Sequence, residues 1–385
     1  MPSSRKTAVR RFRATLEKAQ PQRIVLHAGR VKTGSTFLQS AMIANAATLA
    51  QAGWLFPESL FHISNIQSNA RGLRSPGHAI LPQFGSNRPI DLSPLAHLQT
   101  EIDNRIGLSL LFSAENLGWD ARQGRLSKIA PFFEGFDVEI LIYLRRPSEW
   151  INSYYFELVT GGHARLEFTF ESVVQELITA SDAYGFLRDL EHWNTAPNMR
   201  FRNYDLARQS EGGLLGDFCQ TIGLPKVTKP TRHTINDSPS FAVCRAIRVF
   251  NALTRGLPGK KYNTLYTELL ERLAPLDDGH RKSFLTPQDA AEIDTEWARR
   301  NIMLVEGGYI SRKDYDALTA PKEQEPFAPP DPAVEAHLLL EVCAVLQENG
   351  ITGFAMPPTV AGVGGELRRR IGEGLRRRLH RTLTK

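Results

Sequence analysis

The sequence is poor in cysteine and lacks any long apolar run. Its 385 residues include three cysteines, Cys219, Cys244 and Cys343, which are far apart and form no CxxC pair or Cys/His cluster. This spacing excludes a disulfide framework and a structural zinc site of the usual kind, and it indicates a reducing compartment. The chain has no apolar run of about eighteen residues, and its first residues lack the apolar stretch of a secretory signal. We therefore expect a cytoplasmic protein.

Positive charge is scarce in the middle of the chain and concentrated at its ends. Residues 1–23 contain seven Lys or Arg and one Glu, and residues 366–385 contain eight Lys or Arg and two Glu. Residues 24–365, by contrast, contain 32 basic and 38 acidic residues, so this part of the chain is net negative. A basic end is typical of solvated, loosely ordered polypeptide. The alternative is peripheral attachment to an anionic membrane on its inner face. Both interpretations stay open, and we expect no nucleic-acid partner.

Apolar runs of strand length alternate with helical patterns in the first half of the chain. Four runs predict strands, and helical spacing of apolar residues follows between them. The predicted strands are 24–29, 109–115, 138–144 and, more weakly, 199–204, and the helices include 36–49, 148–159 and 181–193. Strands that are apolar throughout and alternate with helices predict a parallel sheet covered on both faces. The fold class is therefore α/β, in three layers, and its ligands are expected beyond the carboxyl ends of the strands.

The second half is more helical and is interrupted by a proline-rich break. Helical spacing is clearest at 240–253 and 287–305, and the polar segment 320–332 contains repeated prolines. We predict four regions on this basis. They are a basic N-terminal extension (1–23), an α/β domain (24–310), a proline-rich linker (311–332), and a helical segment with a basic amphipathic tail (333–385).

The segment HAGRVKTGSTFLQ, residues 27–39, joins the first predicted strand to the first helix. Gly29 and Gly34 keep the glycine spacing of a phosphate-binding P-loop, but Lys32 stands two residues before the second glycine and Ser35 takes the usual lysine position. Backbone N–H groups from Lys32 to Thr36, including that of Thr33, would point at one anion. The displaced ammonium would lie nearer a bridging oxygen than a terminal phosphate, which suits a 5′-phosphosulfate.

These residues resemble a known family. VLHAGRVKTGSTFLQ resembles the 5′-phosphosulfate-binding loop of sulfotransferases that use 3′-phosphoadenosine 5′-phosphosulfate (PAPS), most of all the bacterial carbohydrate-type members, and the likeness covers about 24–310. In LIYLRRPSEWINSYY, Arg145 and Ser153 have the spacing of the family's 3′-phosphate site. The chain departs from the family at Val31, where a histidine often stands.

The resemblance implies a P-loop-like α/β/α fold and sulfation of a carbohydrate or glycolipid acceptor, at a hydroxyl or an amine. It implies PAPS as the donor co-substrate, with no metal required. The donor-binding residues that it implies are Arg30, Lys32, Thr33, Gly34, Ser35, Thr36, Arg145 and Ser153. The residues agree independently, since an arginine at a strand's carboxyl end offers a bidentate fork to a phosphate. Arg146 is the alternative to Arg145 for this phosphate contact, but its spacing to Ser153 differs by one residue from that of the family, and we expect it to be solvated.

Sulfuryl transfer needs a cation at the departing phosphate and a base for the acceptor proton. Lys32 is the candidate for the cation. Three residues are candidates for the base: His78, which lies in a turn and resembles a Gly-His of the family, Glu115 at the end of a strand, and Glu58. The sequence does not choose among them, so the predicted catalytic set is Lys32 with His78 or Glu115.

Two other classes of function compete with the sulfotransferase. The first is a Mg²⁺-dependent P-loop nucleotide kinase or ATPase with an unusual loop, which would lose its activity in EDTA. The second is a non-catalytic membrane- or polyanion-binding protein that acts through its basic ends. The acceptor and the oligomeric state do not follow from the sequence.

Overall fold

One parallel five-stranded sheet lies at the centre of the protein. The computed structural model describes residues 5–60, 77–78, 80–84, 92–103, 107–118, 124–162, 164–194, 197–229, 239–277, 283–321 and 331–351. The strands are β1 (Ile24–His27), β2 (Trp54–Leu55), β3 (Ser109–Ser113), β4 (Val138–Leu144) and β5 (Asn198–Asn203). Their order across the sheet is β2-β3-β1-β4-β5, and every neighbouring pair is parallel. Every residue of β1 and β4 is buried, which explains why both read as continuous apolar runs.

Helices make up most of the rest of the described chain. They are α1 (Arg5–Ala19), α2 (Ser35–Ala44), α3 (Ala46–Gln51), α4 (Ile80–Phe84), α5 (Ser93–Ile102), α6 (Arg125–Ile129), α7 (Pro147–Thr160), α8 (Phe170–Ser181), α9 (Tyr184–Leu190), α10 (Tyr204–Gln209), α11 (Gly213–Ile222), α12 (Phe241–Leu253), α13 (Gly259–Leu273), α14 (Pro287–Asn301), α15 (Met303–Glu306), α16 (Arg312–Thr319) and α17 (Pro332–Glu348).

The two faces of the sheet are covered by different helices. Alternate strand residues point to opposite faces, so Val25 packs with α2 and α11, whereas Leu26 packs with α1, α5, α6 and α9. A third apolar cluster joins α7, α8, α12, α13 and α17 beside the sheet. The predicted α/β fold with a parallel sheet between two helical layers is confirmed.

The strand order opens a crevice at the carboxyl edge of the sheet. The chain leaves β1 towards the β2 edge, whereas it leaves β3 in the opposite direction, across β1 to β4. Connections that diverge in this way place their helices on opposite faces and leave a crevice between the two strand ends. His27 ends β1 directly beside Ser113 of β3 and Leu141 of β4. Residues that follow β1, β3 and β4 therefore meet at this edge.

The N-terminal segment is ordered, contrary to the expectation of loose polypeptide. Helix α1 buries Ala8, Phe12, Leu16 and Ala19 in the main core, at a spacing of three or four residues. The Phe12 ring lies 5.4 Å from that of Phe84 and 5.3 Å from that of Phe133. The basic side chains occupy the opposite face of α1. The high charge of the segment suggested loose polypeptide, whereas the apolar residues at helical spacing between the charges form a helix that packs in the core.

Helices cover the described parts of the last two predicted regions. Residues 312–319, at the start of the predicted linker, form α16, whose Tyr315 and Leu318 are buried in the core beside β5. In the predicted helical segment, α17 buries Leu338 and Val342 against α12 and α13. The rest of the linker at 322–330 and the basic tail lie outside the described residues. Within the described ranges, no helix combines the length and apolar character that a membrane span requires.

Candidate active site

The loop between β1 and α2 has a strained and closely packed backbone. Lys32 adopts a left-handed conformation at φ +65°, which non-glycine residues rarely do. Gly34, at φ +79°, is the N-cap of α2, and a Cβ on it would collide with the Leu214 side chain. No side chain of the described residues caps the start of α2, so none occupies its first N–H groups as a cap. The left-handed conformation favours glycine at this position, and a larger residue would also have to displace the end of the Leu214 side chain.

The loop hydroxyls hold the loop together. Thr33 Oγ1 donates to the carbonyl oxygen of Arg30 at 2.7 Å, and Ser35 Oγ donates to the same oxygen at 3.2 Å. Both side chains are buried. The two hydroxyls are therefore used to fix the shape of the loop, which leaves the backbone N–H groups of Thr33 and Ser35 as what these residues could offer an anion. Thr36 follows at the surface of the first turn of α2 and is half-buried.

Arg30 does not direct its guanidinium into the predicted donor site. Its Nη1 and Nη2 donate to the carbonyl oxygens of Ser181 at 2.9 Å and Ala180 at 2.6 Å, at the end of α8. The guanidinium also lies 4.4 Å from the centre of the Trp150 ring. A buried cation that closes a helix C-terminus is structural. The guanidinium of Arg30 is therefore engaged at α8 and does not support its predicted role in donor binding, whereas its carbonyl organises the loop.

Lys32 reaches α7 and forms an ion pair there. Its Nζ lies 2.7 Å from Glu157 Oε2, and the two side chains are 24% and 34% exposed. The neighbouring carbonyl of Val31 accepts a hydrogen bond of 2.9 Å from Trp150 Nε1, which ties the loop to the same helix. The ammonium is thus held at the carboxyl edge of the sheet, where the sequence predicted it.

Glu115 lies at the same edge and has an unusual affinity for its proton. It opens a short 3₁₀ turn, Glu115–Leu117, directly after β3. Burial raises the pKa of Glu115 to about 7, the negative charge of Glu157 adds to the rise, and Lys32 opposes it. The residue is half-buried. Gly118 brings this turn so close to the Ala28 carbonyl that a Cβ would not fit.

The raised pKa predicts how Glu115 affects stability. Since the folded-state pKa lies above the ordinary value of 4.5, its contribution to folding is present below pH 4.5 and is lost as the pH rises through about 7. Glu115→Gln stays neutral and should therefore gain stability relative to the wild type at about pH 8, but not at about pH 5. Urea unfolding at both pH values measures this. The exposed Glu292→Gln on α14 is the matched control, and a variant that gains equally at both pH values would contradict the prediction.

His78 is buried and fully engaged by the backbone. Its Nδ1 accepts a hydrogen bond from Ser113 N at 2.8 Å, and its Nε2 lies 2.9 Å from the Pro57 carbonyl oxygen. Burial lowers the pKa of His78 to about 4, against the opposing effect of these backbone contacts. Such a histidine pins the β2 and β3 ends together. The geometry disfavours His78 as the base.

Glu58 is the most distant of the three candidates for the base. It is exposed in the turn Glu58–Leu60, which follows β2, and β2 is two strands away from β1. Glu115 follows β3, the strand next to β1, and the charge of Lys32 acts on it. Of the three candidates for the base, Glu115 is the one that this arrangement favours.

The two arginines after β4 differ sharply. Arg145 is partly exposed and pairs with Glu149, with Nη2 at 3.3 Å from Oε2. Arg146 is buried, contrary to the expectation of a solvated side chain. It lies 3.1 Å from Asp294 and donates to the carbonyls of Ala317 and Ala320. Arg145 alone is thus available to a ligand.

Helix α7 carries the residues that face this edge. Ser153 is half-buried, and Glu149 and Glu157 lie four residues before and after it, on the same side of the helix. Ser153 was predicted from the sequence, and Glu157 was not. Its signal was present in the sequence as an acidic residue one turn beyond Ser153, but nothing in the sequence showed that α7 would face Lys32.

Other polar features lie away from Lys32. A groove of about 410 Å³ runs along β5, where Arg200 and Arg202 contribute to its wall. Arg202 is neutralised by Asp217 and Asp314. Across the described ranges, no three His, Cys, Asp or Glu side chains are grouped as metal ligands.

Comparison with known protein families, with curated proteins and with solved structures found no match for this chain.

Proposed function

We propose that this protein transfers a sulfuryl group from PAPS to an acceptor hydroxyl or amine. The observation that carries the proposal is the position of Lys32, which stands within the loop after β1 and whose ammonium is paired with Glu157 of α7 at 2.7 Å. A P-loop-like anion site with its lysine in this place favours charge on a bridging oxygen over a terminal phosphate. The resemblance of the two segments around Lys32 and Arg145 to sulfotransferases supports the same chemistry.

Each residue of the edge has a role in this reaction. The backbone N–H groups of Thr33 to Thr36 would bind the 5′-phosphosulfate, and Arg145 with Ser153 would bind the 3′-phosphate. The acceptor oxygen or nitrogen forms a new bond to sulfur as the bond from sulfur to the bridging oxygen breaks. Lys32 stabilises the negative charge that stays on the phosphate. Glu115 takes the acceptor proton.

The base assignment predicts the pH dependence of the rate. Glu115 must be deprotonated to accept a proton, and its pKa of about 7 means that the active form is lost as the pH falls below 7. The rate should rise through about pH 7 and then level off. Glu115→Gln should lose roughly 10²–10⁴-fold in kcat together with this pH-dependent rise. A rate profile measured on both proteins tests the assignment, and an unchanged profile in the variant would remove Glu115 from the mechanism.

Transfer from PAPS in the presence of EDTA is the direct test of the function. The wild type would be incubated with PAPS and a pool of carbohydrate and glycolipid acceptors, and sulfated products and 3′-phosphoadenosine 5′-phosphate (PAP) would be measured by mass spectrometry. Sulfated product in EDTA supports the proposal. Turnover of ATP that requires Mg²⁺, with none of PAPS, would favour the kinase or ATPase instead. The carbohydrate or glycolipid class rests on the resemblance, and the pool identifies the acceptor.

A peripheral membrane role is a separate proposal, favoured by the outer face of α1. Lys6, Arg10, Arg11 and Lys18 are exposed there, opposite the buried stripe. Because the apolar face is already packed in the core, the contact would be electrostatic and sensitive to salt. We expect sedimentation with phosphatidylserine vesicles at low salt, not with phosphatidylcholine vesicles. Replacing the four residues by Gln should abolish it, and binding that survives would exclude this surface.

A further inference from the structure

We propose that Glu157 is a positioning residue of this site, which fixes the Lys32 ammonium and couples its charge to Glu115. Its role in catalysis rests on the proposed function, but the coupling itself is a property of the protein. The proposal begins from the helix that carries it. On α7, Trp150 and Glu157 are seven residues apart and so lie on one side of the helix, and both contact the loop.

The loop is held so that Lys32 meets α7. Val31 is fixed by the Trp150 indole at 2.9 Å, and the Arg30 side chain is fixed at the end of α8. Lys32 itself is in the left-handed conformation. A non-glycine residue in this conformation persists only where its surroundings determine it, and such residues cluster at functional sites. Glu157, at 2.7 Å, supplies the partner that determines where the ammonium ends.

Stability alone does not account for the pair. Both side chains are about a quarter to a third exposed, and ion pairs of this kind contribute only about 0–1 kcal/mol. Glu115 follows β3, the strand beside β1, and is half-buried, so water screens nearby charges there less than at the open surface. The Lys32–Glu157 pair, weak as a structural contact, can therefore still act on the Glu115 carboxyl group.

The charges on Glu115 come from two elements. Glu157 acts on it from α7 and raises its affinity for a proton, and Lys32 acts from the loop and lowers it. The pair Lys32–Glu157 therefore sets the balance for Glu115. Removing Glu157 removes the repelling charge and leaves the ammonium of Lys32 without its carboxylate at 2.7 Å, so both changes favour ionised Glu115. Removing Lys32 has the opposite sign.

Titration of Glu115 by NMR tests the coupling without any activity. The protein would be labelled with ¹³C at the glutamate side-chain carboxyl, and the Glu115 signal would be assigned by its loss in Glu115→Gln. We expect a midpoint near pH 7 in the wild type, a shift to lower pH in Glu157→Gln, and a shift to higher pH in Lys32→Met. Glu149→Gln is the matched control, since it makes the same exchange on the same helix face beside Arg145.

The outcomes separate the inference from the function. A midpoint that stays in place in Glu157→Gln, or that shifts equally in Glu149→Gln, would overturn the inference even if PAPS is turned over. A shift confined to Glu157→Gln would support it even if PAPS is not the donor. If PAPS is turned over, the acid side of the pH–rate profile should shift to lower pH in Glu157→Gln and should not shift in Glu149→Gln. A role in folding alone would leave that profile unmoved.

Discussion

Lys32→Met should lower kcat for sulfuryl transfer by about 10²–10³-fold while the protein stays folded. The physical reason is that the ammonium is the cation that the loop holds at the position of the departing phosphate. Its loss costs little stability, because its partner Glu157 is one-third exposed and can be solvated. The rate of PAP release from PAPS, measured with saturating acceptor, gives the effect.

Lys260→Met is the matched control for this change. Lys260 is exposed in the first turn of α13, so its replacement by Met removes the same charge at a position away from the site. It should leave kcat unchanged. A Lys32→Met enzyme that keeps more than about a tenth of the wild-type rate would show that the ammonium does not stabilise the transition state.

Arg145→Ala and Arg146→Ala should have opposite consequences although they are neighbours. Arg145→Ala should weaken PAP binding by roughly 10–100-fold, as the loss of a charged hydrogen-bond donor does, with nearly unchanged stability. Its pair with Glu149 is partly exposed and contributes little. Arg146→Ala should destabilise the fold by roughly 3–5 kcal/mol, because it strands Asp294 in the core.

Calorimetric titration and thermal unfolding on both variants separate the two effects. The prediction would be contradicted if Arg145→Ala kept PAP binding and Arg146→Ala lost it at a temperature where that variant is folded. Arg146 would then be the residue that binds the phosphate. Asp294 also accepts from the backbone N–H and hydroxyl of Ser148, at 2.9 Å each. The buried cluster therefore fixes the start of α7, and with it the direction of the helix that carries Ser153 and Glu157.

The strands could be predicted because their apolar runs are buried on both faces. β4 was predicted from Val138 to Leu144, and the structure has it with these bounds. β2 was not predicted, since its two residues, Trp54 and Leu55, are too short to show a pattern. Helix α1 was hidden by its charge, although Phe12 and Leu16 have the spacing of a buried stripe.

The site could be predicted only in part because residue type does not determine the direction of a side chain. Lys32 and Arg145 follow strands, and strand ends meet in a parallel sheet, so their placement followed from the order of elements. Arg30 lies in the same loop, yet its guanidinium turns back to α8. His78 was predicted to lie in a turn, and its 0% exposure comes from packing between segments that are distant in the sequence. The position of Glu157 beside Lys32 likewise results from packing between distant segments, which the sequence does not show.

Calorimetric titration of the wild-type protein with PAP in EDTA tests the central claim most directly. PAP carries both phosphates that the loop and Arg145 would hold, and it needs no acceptor. We expect one site with a dissociation constant on the order of micromolar. No heat of binding to the folded wild type, or binding of ATP alone and only with Mg²⁺, would contradict the claim that this edge of the sheet binds a sulfuryl donor.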